Sequence, residues 1–185
     1  MESEPAVLVP IRSFRSGKTR LATVLDPEAR RALVEAMAAA ALAAVDGLDV
    51  RVLTPDAEVA AWARKLGARP VPDANATLNG VLEAARRDAI AEGARSVVVL
   101  FADLPSVTRH DVDDLLDLDT PVVIAPDRAG QGTNALHLAA HSPVVYRFGA
   151  GSFTAHMAQW PEARVVRRPG LAEDVDDPAD LGPHS

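Results

Sequence analysis

The chain has 185 residues, 26 of them acidic and 19 basic, and a formal net charge of -7; this length predicts one domain over residues 1–185. Hydrophobic residues make up 48% of the chain, so it can bury a core, and a mean hydropathy near zero excludes a disordered tail protein. The absence of cysteine excludes disulfides, thiolate zinc sites and cysteine nucleophiles.

Strand and helix patterns alternate along the first two-thirds of the chain. Residues 6–11 are a short apolar run, which is typical of a strand buried on both faces. Asp26 is suited to cap a helix that has Pro27 in its first turn, and the Ala-rich stretch continues this helix to Val45, before Gly47 ends it. Further strands are predicted at 50–53, 69–71, 96–101 and 121–125, and further helices at 56–66, 78–91 and about 108–118.

The pattern changes after Pro126, where Gly-rich turns surround short strands at 133–139 and 163–166 and a helix at 153–160. The alternation before that point predicts an α/β fold, with a mainly parallel sheet that helices cover on both faces. The last third is predicted to add mixed or antiparallel strands. Open sheets of this kind bind ligands at the carboxyl ends of their strands, so we expect the chemistry there.

The loop after the first strand carries four cations in an otherwise acidic chain: Arg12, Arg15, Lys18 and Arg20. Gly17-Lys18-Thr19 resembles the end of a phosphate-binding P-loop, but the full motif requires glycine where this chain has Arg12, so the P-loop is excluded. The loop could still hold a nucleotide triphosphate by charge and by backbone N–H groups. The alternative is a solvated polar loop.

Acidic residues follow the strongest strand and occur again near the end of the chain. Asp103 comes two residues after the apolar strand 96–101, and beside a triphosphate its carboxylate would be a magnesium ligand. Asp174 and Asp176 are two apart on an extended segment, so they point to the same side and repel each other unless a cation lies between them. The alternatives are a turn-forming Asp103 and a cap formed by Asp176-Asp177 for a short last helix.

Two Gly-bearing loops, at 130–134 and 148–152, can bring backbone N–H groups close to an anion. The second precedes the predicted helix 153–160, so Ser152 is its cap, a phosphate ligand at its N-terminus, or both. Each loop taken alone is equally typical of an ordinary turn. The five histidines show no metal-ligand spacing and no Gly-x-Ser-x-Gly elbow offers a serine nucleophile, so covalent catalysis is not expected.

These residues together resemble a known family, the guanylyltransferases that activate 2-phospho-L-lactate or phosphoenolpyruvate in the biosynthesis of the deazaflavin coenzyme F(420). The resemblance covers nearly the whole chain in one order. It is carried by residues 9–11 (Val-Pro-Ile), 17–21 (Gly-Lys-Thr-Arg-Leu), 78–79 (Leu-Asn), 102–105 (Ala-Asp-Leu-Pro), 125–128 (Ala-Pro-Asp-Arg), 132–136 (Gly-Thr-Asn-Ala-Leu), 148–153 (Phe-Gly-Ala-Gly-Ser-Phe) and 171–178 (Leu-Ala-Glu-Asp-Val-Asp-Asp-Pro). The chain departs from the family pattern at Arg12, Ala102 and Glu173, where the family more often has Lys, Gly and an apolar residue.

The resemblance implies a Rossmann-like three-layer nucleotidyltransferase fold of the nucleotide-diphospho-sugar transferase type, with a mostly parallel mixed sheet. It implies a Mg²⁺ site at Asp103, Asp174 and Asp176, and catalytic roles for Asp103 and Lys18. The residues that would bind GTP are Pro10, Arg12, Lys18, Leu78 and Asn79. The residues that would bind the acceptor's phosphate and carboxylate are Thr133, Gly149 and Ser152.

The activity that the resemblance implies is transfer of GMP from GTP to the phosphate of phosphoenolpyruvate or 2-phospho-L-lactate, with release of pyrophosphate. A phosphate monoester has a second pKa of about 6, so near neutrality it is largely dianionic and needs no general base. Two alternatives stay open. One is a related nucleotidyltransferase with a sugar phosphate or the molybdenum cofactor as acceptor, and the other is a non-catalytic nucleotide-binding module.

The sequence also leads to expectations about partners and location. An acidic chain has no bulk electrostatic reason to bind a nucleic-acid backbone. No window reaches the ~18 unbroken apolar residues of a membrane helix, and the first residues lack the basic region of a signal peptide. We therefore expect a cytoplasmic enzyme, monomeric or homodimeric, whose partners are GTP and a small phosphorylated three-carbon acid rather than nucleic acid or membrane.

Overall fold

The computed structural model describes residues 4–73, 77–117 and 119–181, whose strands form one sheet. The strands are β1 (Ala6–Pro10), β2 (Asp49–Thr54), β3 (Arg69–Pro72), β4 (Ser96–Leu100), β5 (Val122–Pro126), β6 (Thr133–Ala139) and β7 (Arg164–Val165). The α-helices are α1 (Pro27–Ala44), α2 (Ala57–Lys65), α3 (Leu78–Ala91), α4 (Arg109–Leu116), α5 (Ser152–Met157) and α6 (Pro169–Ala172). Two short 3-10 helices cover Thr19–Thr23 and Pro178–Leu181.

The sheet is mostly parallel, and β6 is the strand that runs against its two neighbours. The order of the strands across the sheet is β3-β2-β1-β4-β6-β5-β7. β6 pairs antiparallel with both β4 and β5, so that His137 lies opposite Val98 on one side and Val123 on the other. The remaining pairs are parallel. The predicted mixed sheet is therefore confirmed, and the change of pattern after Pro126 marks the reversed strand.

Helices cover both faces of this sheet, because successive strand residues point to opposite sides. Along β1, Val7 and Val9 join the core beneath α1 and α4, while Ala6 and Leu8 join the core beneath α3. All four residues are fully buried. Burying each larger side chain stabilises the fold by about 1.5–3 kcal/mol relative to exposure. The two cores confirm the predicted three-layer arrangement.

Several helix starts lie at the edge of the sheet where the parallel strands end. Asp26 caps α1, as predicted, with Oδ1 accepting from the Ala29 N–H at 2.8 Å, and Pro27 occupies the first turn. Thr77 caps α3 through the Gly80 N–H at 3.2 Å. This edge therefore collects the loops that follow the strands together with helix N-termini, which is where ligands are expected in open α/β sheets.

The predicted elements are all present, with small differences at their ends. The predicted helix 153–160 is shorter: α5 begins at Ser152 and ends at Met157, and beyond it the Gln159 N–H donates to the His156 carbonyl oxygen, three residues earlier, at 2.9 Å. The 3-10 helix at Thr19–Thr23 and the short helix α6 were not predicted. In the described part of the chain, no helix is long and apolar enough to cross a membrane.

Candidate active site

A cavity of about 840 Å³ lies at the carboxyl edge of the sheet, between the loops that follow β4, β5 and β6. Its volume is in the range of small-molecule sites. Six of the residues predicted to act at the site line this cavity: Asp103, Thr133, Gly149, Ser152, Asp174 and Asp176. They come from four separate parts of the chain, and the fold brings them together.

Lys18 reaches these residues from the loop after β1. Its Nζ lies 2.6 Å from Oδ2 of Asp103 and 2.6 Å from Oδ1 of Asp176. Burial lowers the pKa of Lys18, but the two carboxylates outweigh burial and the net pKa is raised. The side chain is therefore a fixed positive charge. Its backbone is left-handed, with φ of 54°, which costs an L-residue about 1–2 kcal/mol.

The two acidic segments meet through backbone pairing. The Val175 N–H donates to the Asp103 carbonyl oxygen at 3.1 Å, which sets Asp174 and Asp176 beside Asp103. Asn134 braces the same region, because its Nδ2 donates both to the Leu171 carbonyl oxygen at 3.0 Å and to Oδ1 of Asp174 at 3.1 Å. Asn134 was not predicted as a site residue. Its signal was its place in the Gly-Thr-Asn-Ala-Leu motif.

The charges of the three carboxylates affect one another. Burial raises the pKa of Asp174, and the negative charges of Asp103 and Asp176 raise it further, against the hydrogen bond from Asn134. Oδ1 of Asp103 is buried and accepts no hydrogen bond within the described residues. A cation stabilises three carboxylates that lie this close together. The ammonium group of Lys18 provides a positive charge beside two of them, Asp103 and Asp176.

The three carboxylates of Asp103, Asp174 and Asp176 are also the predicted ligands of a metal ion. Within residues 4–73, 77–117 and 119–181, no three or more His, Cys, Asp or Glu side chains are arranged so that they could hold a metal ion. Three carboxylates on one cavity wall, one of them with a buried oxygen that lacks a partner, are nevertheless a donor set of the type that Mg²⁺ takes. The residue types fit the ion, and the ammonium of Lys18 occupies the position between two of them.

Asp177 does not act as the predicted cap. The 3-10 helix at Pro178–Leu181 is organised by Asp180, whose Oδ2 accepts from the N–H groups of Asp176 and Asp177 at 3.0 and 2.8 Å. The Asp177 carboxylate points elsewhere and accepts from Arg20 at 3.3 Å. Asp180 therefore accepts the backbone hydrogen bonds at the start of this helix. The sequence did not indicate which of the neighbouring acidic residues would do so.

The same cavity is also lined by the predicted acceptor residues. Thr133 begins β6 and is 5% exposed, and Ser152 begins α5 and is 2% exposed. Ser152 is not the helix cap: Gly151 takes that position, and its φ of 72° is a left-handed conformation that glycine adopts freely. Gly149 has φ of 129°, so the loop between β6 and α5 depends on glycine at this position too.

The predicted nucleotide residues are dispersed. Pro10 ends β1, Arg12 is exposed in the following loop, and Leu78 and Asn79 form the first turn of α3. These four, all among the described residues, do not line the cavity. Asn79 instead pairs with the backbone of Phe148, donating from Nδ2 to its carbonyl oxygen at 3.2 Å and accepting its N–H on Oδ1 at 2.9 Å. Its side chain thus holds the loop that leads into Gly149.

A second residue that sequence reasoning missed is Asp127, in the turn between β5 and β6. Its carboxylate accepts from the N–H groups of Gln131 and Gly132 at 2.8 and 2.7 Å. A Cβ on Gly132 would lie 2.7 Å from the same carboxylate, so glycine is required for this turn. Thr133, which lines the cavity, follows directly after this turn.

Comparisons with known proteins identify relatives of this chain. The family described as "Guanylyl transferase CofC like" matches residues 5–182. A phosphoenolpyruvate guanylyltransferase from Rubrobacter xylanophilus is 39% identical over 184 residues, covering 94% of this chain and 90% of its own. A second enzyme of that name, from Sphaerobacter thermophilus, is 36% identical over 184 residues, with 94% and 89% covered.

Solved structures share the architecture at lower identity. A candidate nucleotide-diphospho-sugar transferase from Desulfovibrio desulfuricans superposes with a TM-score of 0.81 at 20% identity, over 97% of this chain and 85% of its own. A nucleotidyl transferase from Methanothermobacter superposes with a TM-score of 0.66 at 18% identity, over 96% and 94%. These likenesses show the fold. The family match over residues 5–182 and the two relatives at 39% and 36% identity show that the chain belongs to the CofC-like guanylyl transferase family.

Proposed function

We propose that this protein transfers GMP from GTP to the phosphate group of phosphoenolpyruvate or 2-phospho-L-lactate. A phosphate oxygen of the acceptor attacks the α-phosphorus of GTP in line and forms a P–O–P bridge. The bond from the α-phosphorus to the β-phosphate oxygen breaks, and its electron pair leaves with pyrophosphate. Membership of the CofC-like family and the printed names of the relatives support this proposal.

One observation carries the proposal: a fixed ammonium pairs with two of three carboxylates that line a cavity, and hydroxyls and a glycine loop line the same cavity. The main barrier to the reaction is the approach of two anions. Lys18 supplies positive charge at the edge of the sheet, and the Thr133 and Ser152 hydroxyls are donors suited to a small anionic acceptor. Because the acceptor phosphate is already largely dianionic, the site needs no general base.

We also propose Mg²⁺ as the cofactor, held by Asp103, Asp174 and Asp176. These residues have the oxygen donors that the ion prefers. The pKa of Asp174 is raised first by burial and then by repulsion from Asp103 and Asp176, and a divalent cation would relieve that repulsion. When bound, Mg²⁺ would neutralise phosphate charge and help to align the reacting groups. Lys18 contributes to the same task from the protein itself.

The order of motifs along the chain supports a place for this activity in the biosynthesis of coenzyme F(420). The acceptor is accordingly a three-carbon acid with a phosphate on the carbon next to the carboxylate. Such a molecule presents two anionic groups close together, and the cavity wall offers Thr133, Ser152 and the exposed Gly149 within one short stretch of surface.

The test is product analysis by mass spectrometry of the full chain with GTP and Mg²⁺. Phosphoenolpyruvate, 2-phospho-L-lactate and 3-phosphoglycerate are supplied singly and then as a mixture, and pyrophosphate release is followed in parallel. We expect a GMP-acceptor diphosphate with one of the first two acids, and an equal amount of pyrophosphate. ATP in place of GTP is the control for the base.

Two outcomes would overturn the proposal. A product that forms with a sugar phosphate or the molybdenum cofactor, and with none of the three acids, would assign the protein to another transferase reaction. Calorimetric binding of GTP without any release of pyrophosphate would assign it to the non-catalytic nucleotide-binding proteins.

A further inference from the structure

His156 is a buried polar residue that connects Thr133 with the loop before Gly149. It lies on α5, is 0% exposed, and contacts Thr133 through one ring nitrogen and the backbone of Arg147 through the other. Its ring packs edge-on against Phe148, with centroids 4.8 Å apart. A side chain in this position fixes the relation between the start of β6 and the loop that leads into Gly149.

The two contacts define which ring nitrogen carries the proton. Nε2 lies 3.2 Å from the backbone N of Arg147, and a backbone N–H can only donate, so Nε2 must accept and carries no proton. A neutral imidazole then carries its proton on Nδ1. Burial favours the neutral ring, because it lowers the pKa of His156 to about 4.

The position of this proton decides what the Thr133 hydroxyl does. Nδ1 lies 3.0 Å from Oγ1 of Thr133, so the Nδ1–H donates and the hydroxyl oxygen accepts. The hydroxyl proton is therefore not used by His156. In the part of the chain that the structure describes, Oγ1 of Thr133 forms no other hydrogen bond, and Thr133 lines the cavity.

We propose that His156 is a positioning residue, which in its Nδ1–H form makes the Thr133 hydroxyl a donor directed at an anionic oxygen of the acceptor. The inference deepens the proposed function and rests on it for the identity of the ligand. If the ring proton were on Nε2, the Thr133 hydroxyl would donate to Nδ1 and would present only lone pairs to the anion. With the proton on Nδ1, the hydroxyl accepts from the ring and keeps its own proton for the anion.

The protonation of the ring is tested first, without any substrate. Long-range proton–nitrogen NMR correlation of the ¹⁵N-labelled full chain at pH 7 distinguishes a protonated from an unprotonated ring nitrogen, and the spectrum of H156Q assigns the signals. We expect a protonated Nδ1 and an unprotonated Nε2. A proton on Nε2, alone or together with Nδ1, would overturn the inference whatever the substrate proves to be.

The role of the ring is tested by two amide variants of the same site. H156Q places an amide at the distance of Nε2 and can still accept from the Arg147 N–H, whereas H156N places an amide at the distance of Nδ1 and can still donate to Thr133. Loss of the donor should raise the KM for the acceptor in H156Q by about tenfold or more, with a far smaller change in the KM for GTP. H156N should raise the KM for the acceptor less than H156Q does.

A double variant separates action through Thr133 from a general structural role. T133V removes the hydroxyl and keeps the branched shape, so H156Q should add no further rise in the KM for the acceptor when Thr133 is already valine. H137Q is the matched control: His137 is 1% exposed and donates from Nδ1 to the Leu115 carbonyl oxygen at 2.6 Å, away from the cavity. Its variant should lower the melting temperature and leave both KM values unchanged.

The failures of the two proposals are distinguishable. Two results would overturn the role of His156 while leaving the transfer reaction intact. One is that the effects of T133V and H156Q on the KM for the acceptor are independent and additive. The other is that H156Q and H156N raise the KM for the acceptor and the KM for GTP equally. If the wild-type protein forms no product with any of the acids, the proposed function fails instead, and the acceptor assigned to Thr133 fails with it.

Discussion

The ammonium nitrogen of Lys18 lies 2.6 Å from Oδ2 of Asp103, although 85 positions separate the two residues in the chain. The loop after β1 and the loop after β4 meet because the two strands are neighbours in the sheet and run in the same direction. Parallel neighbours end at the same edge, so each strand delivers its following residues to one place. A positive and a negative charge are thereby placed at the centre of the site.

Replacement of Lys18 should remove a charge that the transition state needs. We expect K18M to lower kcat by about 10²–10³-fold, since the loss of one preorganised donor at a developing charge has effects of that size. The chain's other lysine provides the control: Lys65 is exposed at the end of α2, and K65M should leave kcat unchanged. Steady-state pyrophosphate release measures both, and an active K18M would contradict the role given to Lys18.

The carboxylates are tested together with the proposed cation. D103N and D174N should each lower turnover by at least about 10²-fold while far-UV circular dichroism stays that of the wild type. Removal of divalent ions with a chelator should abolish turnover of the wild type, and added Mg²⁺ should restore it. D113N, on the exposed face of α4, is the surface control. Full activity in the presence of chelator would exclude Mg²⁺ from the mechanism.

Replacement of Asn79 tests whether the start of α3 affects binding of GTP or binding of the acceptor. Because both polar atoms of its amide bond to the Phe148 backbone, N79A should raise the KM for the acceptor more than the KM for GTP. Gln159 pairs in the same way with the backbone of Val145, at 3.0 and 2.9 Å, so Q159A is a matched control outside the cavity lining. A rise in the KM for GTP alone would restore the nucleotide-binding role predicted from the sequence.

Two buried histidines should make the protein less stable in mild acid. Burial lowers the pKa of both His137 and His156 to about 4, and the charges of Arg95 and Arg164 also lower that of His137, against its bond to the Leu115 carbonyl. The unfolded chain takes up these protons first. The contribution of each neutral histidine to the free energy of unfolding should therefore be fully present above about pH 6.5. It should be lost between about pH 6.5 and 4, by at most ~3 kcal/mol for each histidine.

Urea unfolding at several values of pH between 7 and 4 measures this effect. H137N should be less stable than the wild type at pH 7, but its stability should fall less steeply in acid because one titrating group is gone. The comparison of slopes matters, since carboxylates contribute to acid unfolding in both proteins. Equal slopes would show that His137 does not titrate in this range.

The order and type of the elements were predictable because each depends on residues close together in the chain. The apolar runs at 96–101 and 121–125 mark buried strands, and Asp26 with Pro27 marks a helix start. The ends of short elements were less predictable. The predicted end at Trp160 was wrong: α5 ends at Met157, and beyond it the Gln159 side chain bonds to the Ala155 carbonyl oxygen and, through a tertiary contact, to the backbone of Val145.

The sequence indicated part of the cavity lining and none of its connections. The motif order identified Asp103, Asp174 and Thr133, all of which line the cavity. It could not show that Asn134 ties Leu171 to Asp174, or that Asn79 holds Phe148, because a side-chain amide in a sequence carries no sign of its distant partner.

By itself, the sequence determined the alternation of strands and helices, the composition of the core and the family, since local pattern and motif order are written along the chain. The tertiary structure alone decided that the Lys18 ammonium lies between Asp103 and Asp176, and that His156 stands behind Thr133. Hydrogen bonds and ion pairs act over a few ångströms. These three contacts join residues that are 85, 158 and 23 positions apart, and such residues reach these distances only when the sheet has been assembled.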